Sequence, residues 1–557
     1  MANYDETVRL WEESRYEEVL DIWKECLEQG VMKEEIDANL NEAFLQPNVD
    51  EFVRALQTNY RIFLKKEVSE TEALRQYSDS PIRYVCYDEG KYYLYHKNER
   101  KLYGKIDLLP EKKEMQFDDI LLLNPKNVWE IVECLAGGYR RKLYCMGSEV
   151  EGWTSIFYLP ELSHILEEKP MWFGDCEEEK DYFLRHTSAY VPKKIVGNAD
   201  EEAAGRVMET FAEIHNKRLE EEYRGEDNIL LTIGIPTYNR GNRALQNVWN
   251  CLDSAYDAEI EVLVSDNAST VQTEGYEEIR NIEDARLTYT RLPENRQFLG
   301  NIENLFAKAK GKYLLLISDE DYVIMDNLSY YLALIRNSED VGMIRSSVTG
   351  HENTMRFPTI QYTKGTEAFV GIFLNDNYMS GAIYRNDAYV SSILESIHTK
   401  YKENEAFIYY PHMFLDAIVS ARYHVIKDST YLIFTGEAEE KTGDKEAEIK
   451  AYAKLDSRLK QHQGWRELLD NLNELPTVVK VEGYAIACEK LFLLLYIVRR
   501  YYKQEWEEIL RKVSECCAEE FDRIQFLSER EKEVLQEELL NMIMTDYTDY
   551  LNRYSNR

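Results

Sequence analysis

At 557 residues the chain is too long for one ordinary core, and roughly three or four domains of about 100 to 200 residues are expected. A hydrophobic share of 44% with 12% aromatics excludes wholesale disorder despite 30% charged residues. Acidic residues outnumber basic ones 102 to 67, and the formal charge of -35 disfavours binding to nucleic acid or to an anionic membrane surface. With that charge, a small anionic ligand such as a nucleoside diphosphate needs a divalent cation or local arginines beside it. The nine cysteines are odd in number and form no Cys-x-x-Cys pair. That pattern suits buried free thiols in a reducing compartment better than a disulfide framework or a zinc site. The start, Met1 to Glu6, is acidic and polar, unlike a signal peptide. The longest apolar run, Leu491 to Val498, falls short of the ~20 residues that cross a bilayer. A cytoplasmic protein with no transmembrane segment is expected, and Arg499, Arg500 and Lys503 offer the weaker alternative of a basic rim for peripheral membrane contact.

In chain order, residues 1–72 carry helical periodicity, with Val8, Trp11, Val19, Ile22, Trp23 and Leu27 at helical intervals. Residues 73–200 read as a small α/β domain. Arg83 to Tyr87 and Lys91 to Tyr95, separated by Asp88-Glu-Gly, form an expected hairpin. Asp119 to Asn124 is a buried-strand run, Val128, Ile131, Val132 and Leu135 mark a helix face, and Lys142 to Met146 and Ser155 to Leu159 read as further strands. Residues 201–227 form a charged helical linker ending in Arg224-Gly-Glu-Asp-Asn. Residues 228–437 hold the chemistry-bearing segment. Residues 438–557 form a helical domain, entered through the acidic stretch Gly436 to Glu448 and continued by amphipathic runs to Tyr550.

Within 228–437, the strand Asn228 to Pro236 runs into the polar loop Thr237-Tyr-Asn-Arg, and a helix follows with Leu245, Val248, Leu252 and Ala255 on its apolar face. A second strand, Ile260 to Ser265, delivers Asp266-Asn-Ala-Ser. A helix from Asn301 to Lys310, faced by Ile302, Leu305, Phe306 and Ala309, has Gly311 in its C′ position. The strand Lys312 to Ser318 then delivers Asp319-Glu-Asp. This βαβ alternation puts polar residues at the carboxyl ends of strands, where open α/β sheets bind ligands.

Ile235-Pro-Thr-Tyr-Asn-Arg, Val264-Ser-Asp-Asn-Ala-Ser, Glu294-Asn-Arg-Gln-Phe-Leu-Gly-Asn and Gly311 to Asp321 occur in the order and spacing of family 2 glycosyltransferases, which the segment resembles. The resemblance implies a multi-domain α/β protein whose central domain has the GT-A fold, a mostly parallel Rossmann-like sheet with flanking helices. It implies transfer of a sugar from a nucleoside diphosphate sugar, a UDP-sugar being favoured, to a glycan or protein hydroxyl, with inversion. Carried over residue by residue, it places Pro236, Thr237, Tyr238, Asn239, Arg240, Asp266, Asn267, Asn295, Asp319 and Glu320 around the nucleotide sugar. Asp319 and Asp321 correspond to the Asp-x-Asp pair holding Mn²⁺ or Mg²⁺. Alternation along an extended chain would put those two carboxylates on one side and Glu320 on the other, giving two hard oxygen ligands to one ion. Read without the resemblance, Asp319-Glu-Asp is a solvated loop of an acidic chain, and Asp266 an ordinary Asx turn.

On the acceptor side, Tyr378-Met-Ser-Gly-Ala-Ile-Tyr-Arg supplies the family's strand and glycine loop, with Ser380 and Gly381 beside the acceptor. The carboxylate pair usual at the next helix start is replaced by Tyr410-Pro-His. His412 and Asp416, one helical turn apart, are the expected general base, with Glu405 just upstream; a packed or capping His412 is the competing reading. Without a base, the chain would be an inactive nucleotide-sugar-binding scaffold or a partner-binding protein of a glycosylation complex. In a third reading the flanking domains grip a protein acceptor or partner enzyme. The build is similar to bacterial enzymes that make surface polysaccharide or glycosylate surface proteins, and an oligomer is compatible with it.

Overall fold

The computed structural model describes residues 6–109, 119–136, 141–187, 189–192, 194–198, 201–220, 229–253, 258–338, 340–351, 354–436, 451–498 and 505–536. Two compact units emerge, Met1–Arg224 with Ser329–Asn337, and Gly225–Leu328 with Ser338–Arg557. The expected multi-domain α/β class is what the chain adopts.

In the first unit, helices from Glu6–Glu12 to Glu70–Asp79 bury Val19, Trp23 and Leu27, while Val8 faces solvent. The expected hairpin forms from β1 (Ile82–Asp88) and β2 (Lys91–His96), and β3 (Lys101–Asp107) extends it to a three-stranded antiparallel sheet. A second, parallel sheet joins β4 (Ile120–Leu123), β5 (Leu143–Met146), β6 (Met171–Phe173) and β7 (Lys194–Gly197) in the order β6-β5-β4-β7. Val128, Ile131, Val132 and Leu135 are buried as their spacing requires. Ser155 to Leu159 is not a strand. After Gly152 turns the chain at φ 73°, Trp153–Tyr158 coils into a 3₁₀ helix. Asn59 then donates to the carbonyls of Phe157 and Leu159 at 2.9 Å each, satisfying backbone groups that a sheet partner would otherwise have taken.

The second unit is built on a nine-stranded mixed sheet. Its strands are β8 (Leu231–Thr237), β9 (Ile260–Asp266), β10 (Leu287–Arg291), β11 (Tyr313–Leu316), β12 (Tyr322–Val323), β13 (Val341–Gly350), β14 (Ile360–Tyr362), β15 (Ala382–Arg385) and β16 (His424–Thr435). The order is β10-β9-β8-β11-β15-β13-β16-β12, with β14 paired to β16. β10, β9, β8 and β11 run parallel, whereas β15 is antiparallel to both β11 and β13. Every residue of β8 and β9 is buried, as expected of strands covered on both faces.

Chain order makes β8 a branch point. The chain leaves it to build β9 and β10 on one side, then returns to place β11 on the other, and at such a switch the two loops diverge to leave a crevice. The β8–β9 register pairs Thr237 with Asp266, so the two polar strand ends open side by side.

The intervening helices follow the expected faces with two adjustments. Helix Gly241–Asp253 buries Ala244, Val248, Cys251 and Leu252, leaves Leu245 half-buried, and ends before Ala255, which lies outside the described residues. Helix Gln297–Lys308 buries Ile302, Leu305 and Phe306 and is capped at Ala309, so Gly311 is not its C′ residue. A Cβ at Gly311 would sit 2.4 Å from the Thr232 nitrogen, which makes close approach of backbone to β8 the reason for glycine there.

Helices Leu455–Asn471, Thr477–Val498 and Trp506–Asp522 continue the same hydrophobic core as the sheet's helices, with Trp465 packed on Phe414 at 4.9 Å between ring centroids. Leu491, Phe492 and Leu495 of the apolar run are buried there. Among the described residues no helix is long and apolar enough to cross a membrane. Arg499, Arg500 and Lys503, the acidic stretch after Gly436 and the final run to Tyr550 lie outside the described residues.

Candidate functional site

Three strand ends meet in the crevice at β8. After β8, Asn239 adopts a left-handed φ of 58°. Its side-chain oxygen accepts from the nitrogens of Thr270 and Val271 at 2.8 and 3.1 Å, and its own nitrogen donates to Ser269 Oγ at 2.8 Å. The loops after β8 and β9 are therefore pinned to each other. Tyr276, unremarked in the sequence, binds the Thr237 hydroxyl at 2.8 Å and accepts from the Arg240 nitrogen at 3.0 Å. Pro236 is buried within β8, and Tyr238 is exposed.

Asp266 is 1% exposed. Oδ1 accepts from the Ser269 nitrogen at 2.8 Å, in the Asx-turn manner, while Oδ2 accepts from Tyr289 Oη at 2.7 Å and Arg291 Nε at 3.2 Å. Asn267 accepts from the Arg296 nitrogen at 2.8 Å and donates to Asn295 Oδ1 at 3.0 Å, so Asn267 and Asn295 clasp the loop before helix Gln297–Lys308. Tyr289 and Arg291 carried no motif signal, but β10 parallel to β9 brings Arg291 opposite Asp266.

Arg240 crosses the crevice. Its Nη1 donates to Asp319 Oδ1 at 3.0 Å and to Glu320 Oε2 at 3.2 Å, and Arg243 lies 3.5 Å from Glu320. Burial pushes the Asp319 carboxyl up and the Arg240 guanidinium pulls it back; Glu320 is raised by burial in the same way, with its neighbouring carboxylates adding to the rise. Asp321 turns elsewhere. Its Oδ2 accepts from Tyr378 Oη at 2.7 Å and Ser380 Oγ at 2.5 Å, and Oδ1 accepts from the Gly436 nitrogen at 3.2 Å. Strict alternation through Asp319-Glu-Asp fails because the chain is not extended there. The Asp321 nitrogen donates to the Ser318 carbonyl at 3.1 Å, closing a turn that sends Asp319 and Glu320 together to Arg240 and Asp321 to the acceptor-side loop.

Ser380 also accepts from the Ser318 nitrogen at 2.9 Å, tying that loop to the end of β11. Gly381 has φ 89°, and a Cβ there would lie 2.4 Å from Ser346 Oγ, so this turn excludes a side chain. The expected acceptor-side residues thus adjoin Asp321. Tyr378 and Gly436 complete the set, and both contacts depend on long-range folding.

The two residues expected as general base do not open onto this crevice. Asp416 is 2% exposed, takes Arg345 Nη2 at 3.0 Å and the Tyr384 hydroxyl, and is pushed up by burial against the pull of Arg345. It neutralises a buried guanidinium that enters from β13, a structural role in place of the expected opening onto the crevice. His412 is also buried, with Nε2 3.1 Å from the Asn377 carbonyl and Nδ1 without a hydrogen-bond partner. Burial and the Arg345 charge lower it to about 3, so it is a neutral imidazole packed at the helix start. Glu405 accepts from Ser457 at 2.8 Å and opens its own short helix. A carboxylate passed over in the sequence, Asp376, accepts from the Tyr378 nitrogen at 2.9 Å and lines a cavity of about 200 Å³ with Asn377, Tyr410 and Met413.

Residues 232–392 match the family model of glycosyl transferase family 2. This segment of the chain belongs to that family. The glycosyltransferase segment begins inside β8 and ends within helix Ala388–Tyr401, so it contains all three strand ends and the Tyr378–Gly381 loop. No curated protein matches the chain. Among solved structures the chain is similar to S. aureus TarS 1-349 in complex with UDP-GlcNAc, at 15% identity and a TM-score of 0.40 over 58% of this chain and 92% of that one. It is also similar to the mannosyltransferase PcManGT from Pyrobaculum calidifontis in complex with GDP-Man and Mn²⁺, at 14% identity and a TM-score of 0.32 over 64% and 98%. At TM-scores this low the family match carries the assignment.

Proposed function

We propose that the crevice at the ends of β8, β9 and β11 binds a nucleoside diphosphate sugar, a UDP-sugar by preference, and that the chain transfers the sugar to a glycan or protein hydroxyl with inversion. The observation that carries this reading is Arg240 reaching across the crevice to Asp319 and Glu320, inside the segment that matches the family. Thr237, Asn239, Asp266 and Asn267 hold the nucleoside side rigid, and Arg240 and Arg243 bring positive charge to a diphosphate that the acidic chain would otherwise repel. Asp266 has its hydrogen-bonding capacity largely taken up by Ser269, Tyr289 and Arg291, so it shapes the pocket and presents Arg291 to the ligand.

The donor set suits a hard divalent ion. Three carboxylates follow one strand end, and Asp321 Oδ1 accepts a single hydrogen bond among the described residues. Asp321 would hold Mn²⁺ or Mg²⁺, whose Lewis acidity would offset charge growing on the departing diphosphate, while Asp319 stays paired with Arg240. Tyr378 and Ser380 keep Asp321 oriented. The acceptor oxygen forms its bond to the anomeric carbon as the bond to the diphosphate oxygen breaks, and the hydroxyl proton passes to Asp376, two residues from Tyr378. The cavity beside Asp376, walled by Met413, Trp465 and Leu491, gives an acceptor with an apolar portion a place to lie.

Release of nucleoside diphosphate from a panel of nucleotide sugars, with Mn²⁺ or Mg²⁺, tests the reading. The parent chain turns over one donor class, and Asp376→Asn binds the donor with parent affinity but loses turnover. If no nucleoside diphosphate binds with either ion, the proposal fails. Binding without any turnover would favour the scaffold reading, which gains its support from the burial of both His412 and Asp416.

A further inference from the structure

We propose that His462, Cys488 and Cys517 form a zinc site that clamps helices Leu455–Asn471, Thr477–Val498 and Trp506–Asp522 together. Each ligand comes from a different helix: His462 from Leu455–Asn471, Cys488 from Thr477–Val498 and Cys517 from Trp506–Asp522. Their ligand atoms all lie within 4.8 Å of one another, and His462 Nε2 is 3.8 Å from Cys488 Sγ. Tetrahedral zinc, with bonds of about 2.3 Å to sulfur and about 2.0 Å to nitrogen, sets neighbouring ligand atoms roughly 3.5 to 3.8 Å apart. The helices therefore already hold the three groups close to the spacing an ion requires.

The surroundings say what kind of ion fits. All three residues are at most 1% exposed, in the core that contains Leu468, Leu491 and Phe521. A dipositive ion alone would be very costly there, but two thiolates cancel its charge and leave a neutral unit to bury. Sulfur and imidazole select zinc over the Mn²⁺ or Mg²⁺ that the carboxylates at β11 suit, so the two sites would not compete for one metal. Ligation would turn the two thiols into thiolates, with release of their protons.

The imidazole presents Nε2 to the cluster, and with Nε2 on zinc the ring would be the Nδ1–H tautomer; Nδ1 has no hydrogen-bond partner in the structure, and the ion would not supply one. Tyr484 Oη, 3.3 Å from Nε2 and donating to the Cys517 carbonyl at 2.6 Å, is the oxygen nearest a fourth position. No short motif announces the site, because the spacing spreads one ligand to each helix and only their packing assembles it.

The full chain, purified without chelator, should carry about one equivalent of zinc by elemental analysis. Once the metal is stripped, Zn²⁺ should raise its Tm, and Co²⁺ should give the thiolate-to-cobalt absorption of a tetrahedral sulfur site. Cys488→Ser and His462→Gln should lose the zinc and the cobalt band; because either change can also weaken the core, the cobalt spectrum of the unaltered chain stands as the primary readout. Stripped parent protein that binds neither Zn²⁺ nor Co²⁺ would overturn the proposal. So would mass spectrometry finding Cys488 and Cys517 joined as a disulfide.

Discussion

Replacing Asp416 by alanine separates a structural from a catalytic role for this carboxylate. In the folded chain Arg345 and Asp416 are each about 2% exposed and 3.0 Å apart, and the Tyr384 hydroxyl closes the other carboxylate oxygen. Removing the carboxylate strands a guanidinium in the core, a change that costs about 3–5 kcal/mol for a broken buried pair. Asp376, 3.8 Å from Arg345 Nε, retains part of the compensation, which puts the expected loss near the lower figure, about 3 kcal/mol. At about 2 °C per kcal/mol for a unit of this size, the Tm should fall by about 6 °C. Asp416→Asn keeps the shape and loses the charge, and should fall between parent and alanine variant. Calorimetry on the full chain, with donor binding measured on the same samples, reads both effects. An alanine variant with the parent Tm but no turnover would refute the structural role and return Asp416 to catalysis.

Arg240→Ala removes a charge-assisted contact of about 1.5–3 kcal/mol, so nucleoside diphosphate affinity should weaken about 10- to 100-fold by titration calorimetry, with little change in Tm. Asp321→Asn should abolish the gain in nucleoside diphosphate affinity produced by Mn²⁺ and cut turnover at least about 100-fold; retained metal dependence would move the ion's ligands elsewhere. Glu179 supplies a pH test. It is fully buried in the first unit with neither carboxyl oxygen partnered, and burial alone pushes it up from 4.5 to about 8. A raised acid favours the fold when protonated, so its contribution is intact below about 4.5 and is lost as pH rises towards and through about 8. Glu179→Gln should therefore raise the Tm of that unit at pH 8 and do progressively less as pH is lowered to 5, and a pH-independent difference would refute the assignment.

What could be read from the sequence was what short-range chemistry determines. Leu231 to Thr237 and Ile260 to Asp266 are apolar runs ending in polar residues, and such runs become buried parallel strands with their polar ends at one edge whatever the rest of the chain does. Turns were less legible. Ser155 to Leu159 has the composition of a strand, yet Gly152 and the Asn59 side chain nearly a hundred residues away make it helical. Asp319-Glu-Asp looked extended because alternation is the default after a strand, but one hydrogen bond to Ser318 reverses which carboxylates share a side.

Pairings across the sheet left no sequence trace. Asp416 is one helical turn from His412 and looked like its partner, but β13 delivers Arg345 to it from 71 residues upstream, and a buried guanidinium takes precedence over a histidine held neutral by the same burial. The same logic explains Asp376. Its value depends on Tyr378 folding back to Asp321 across 57 residues, so a carboxylate in an unremarkable Asn-Asp-Asn loop lines the cavity and lies one tyrosine side chain away from the proposed metal ligand. If that placement matters for chemistry, Tyr378→Phe should lower turnover without displacing the Asp376 backbone contact, because the bond from the Tyr378 nitrogen survives the loss of its hydroxyl. A Tyr378→Phe variant with unaltered turnover and unaltered response to Mn²⁺ would detach Asp321 from the acceptor-side loop and remove the physical link on which the Asp376 role depends.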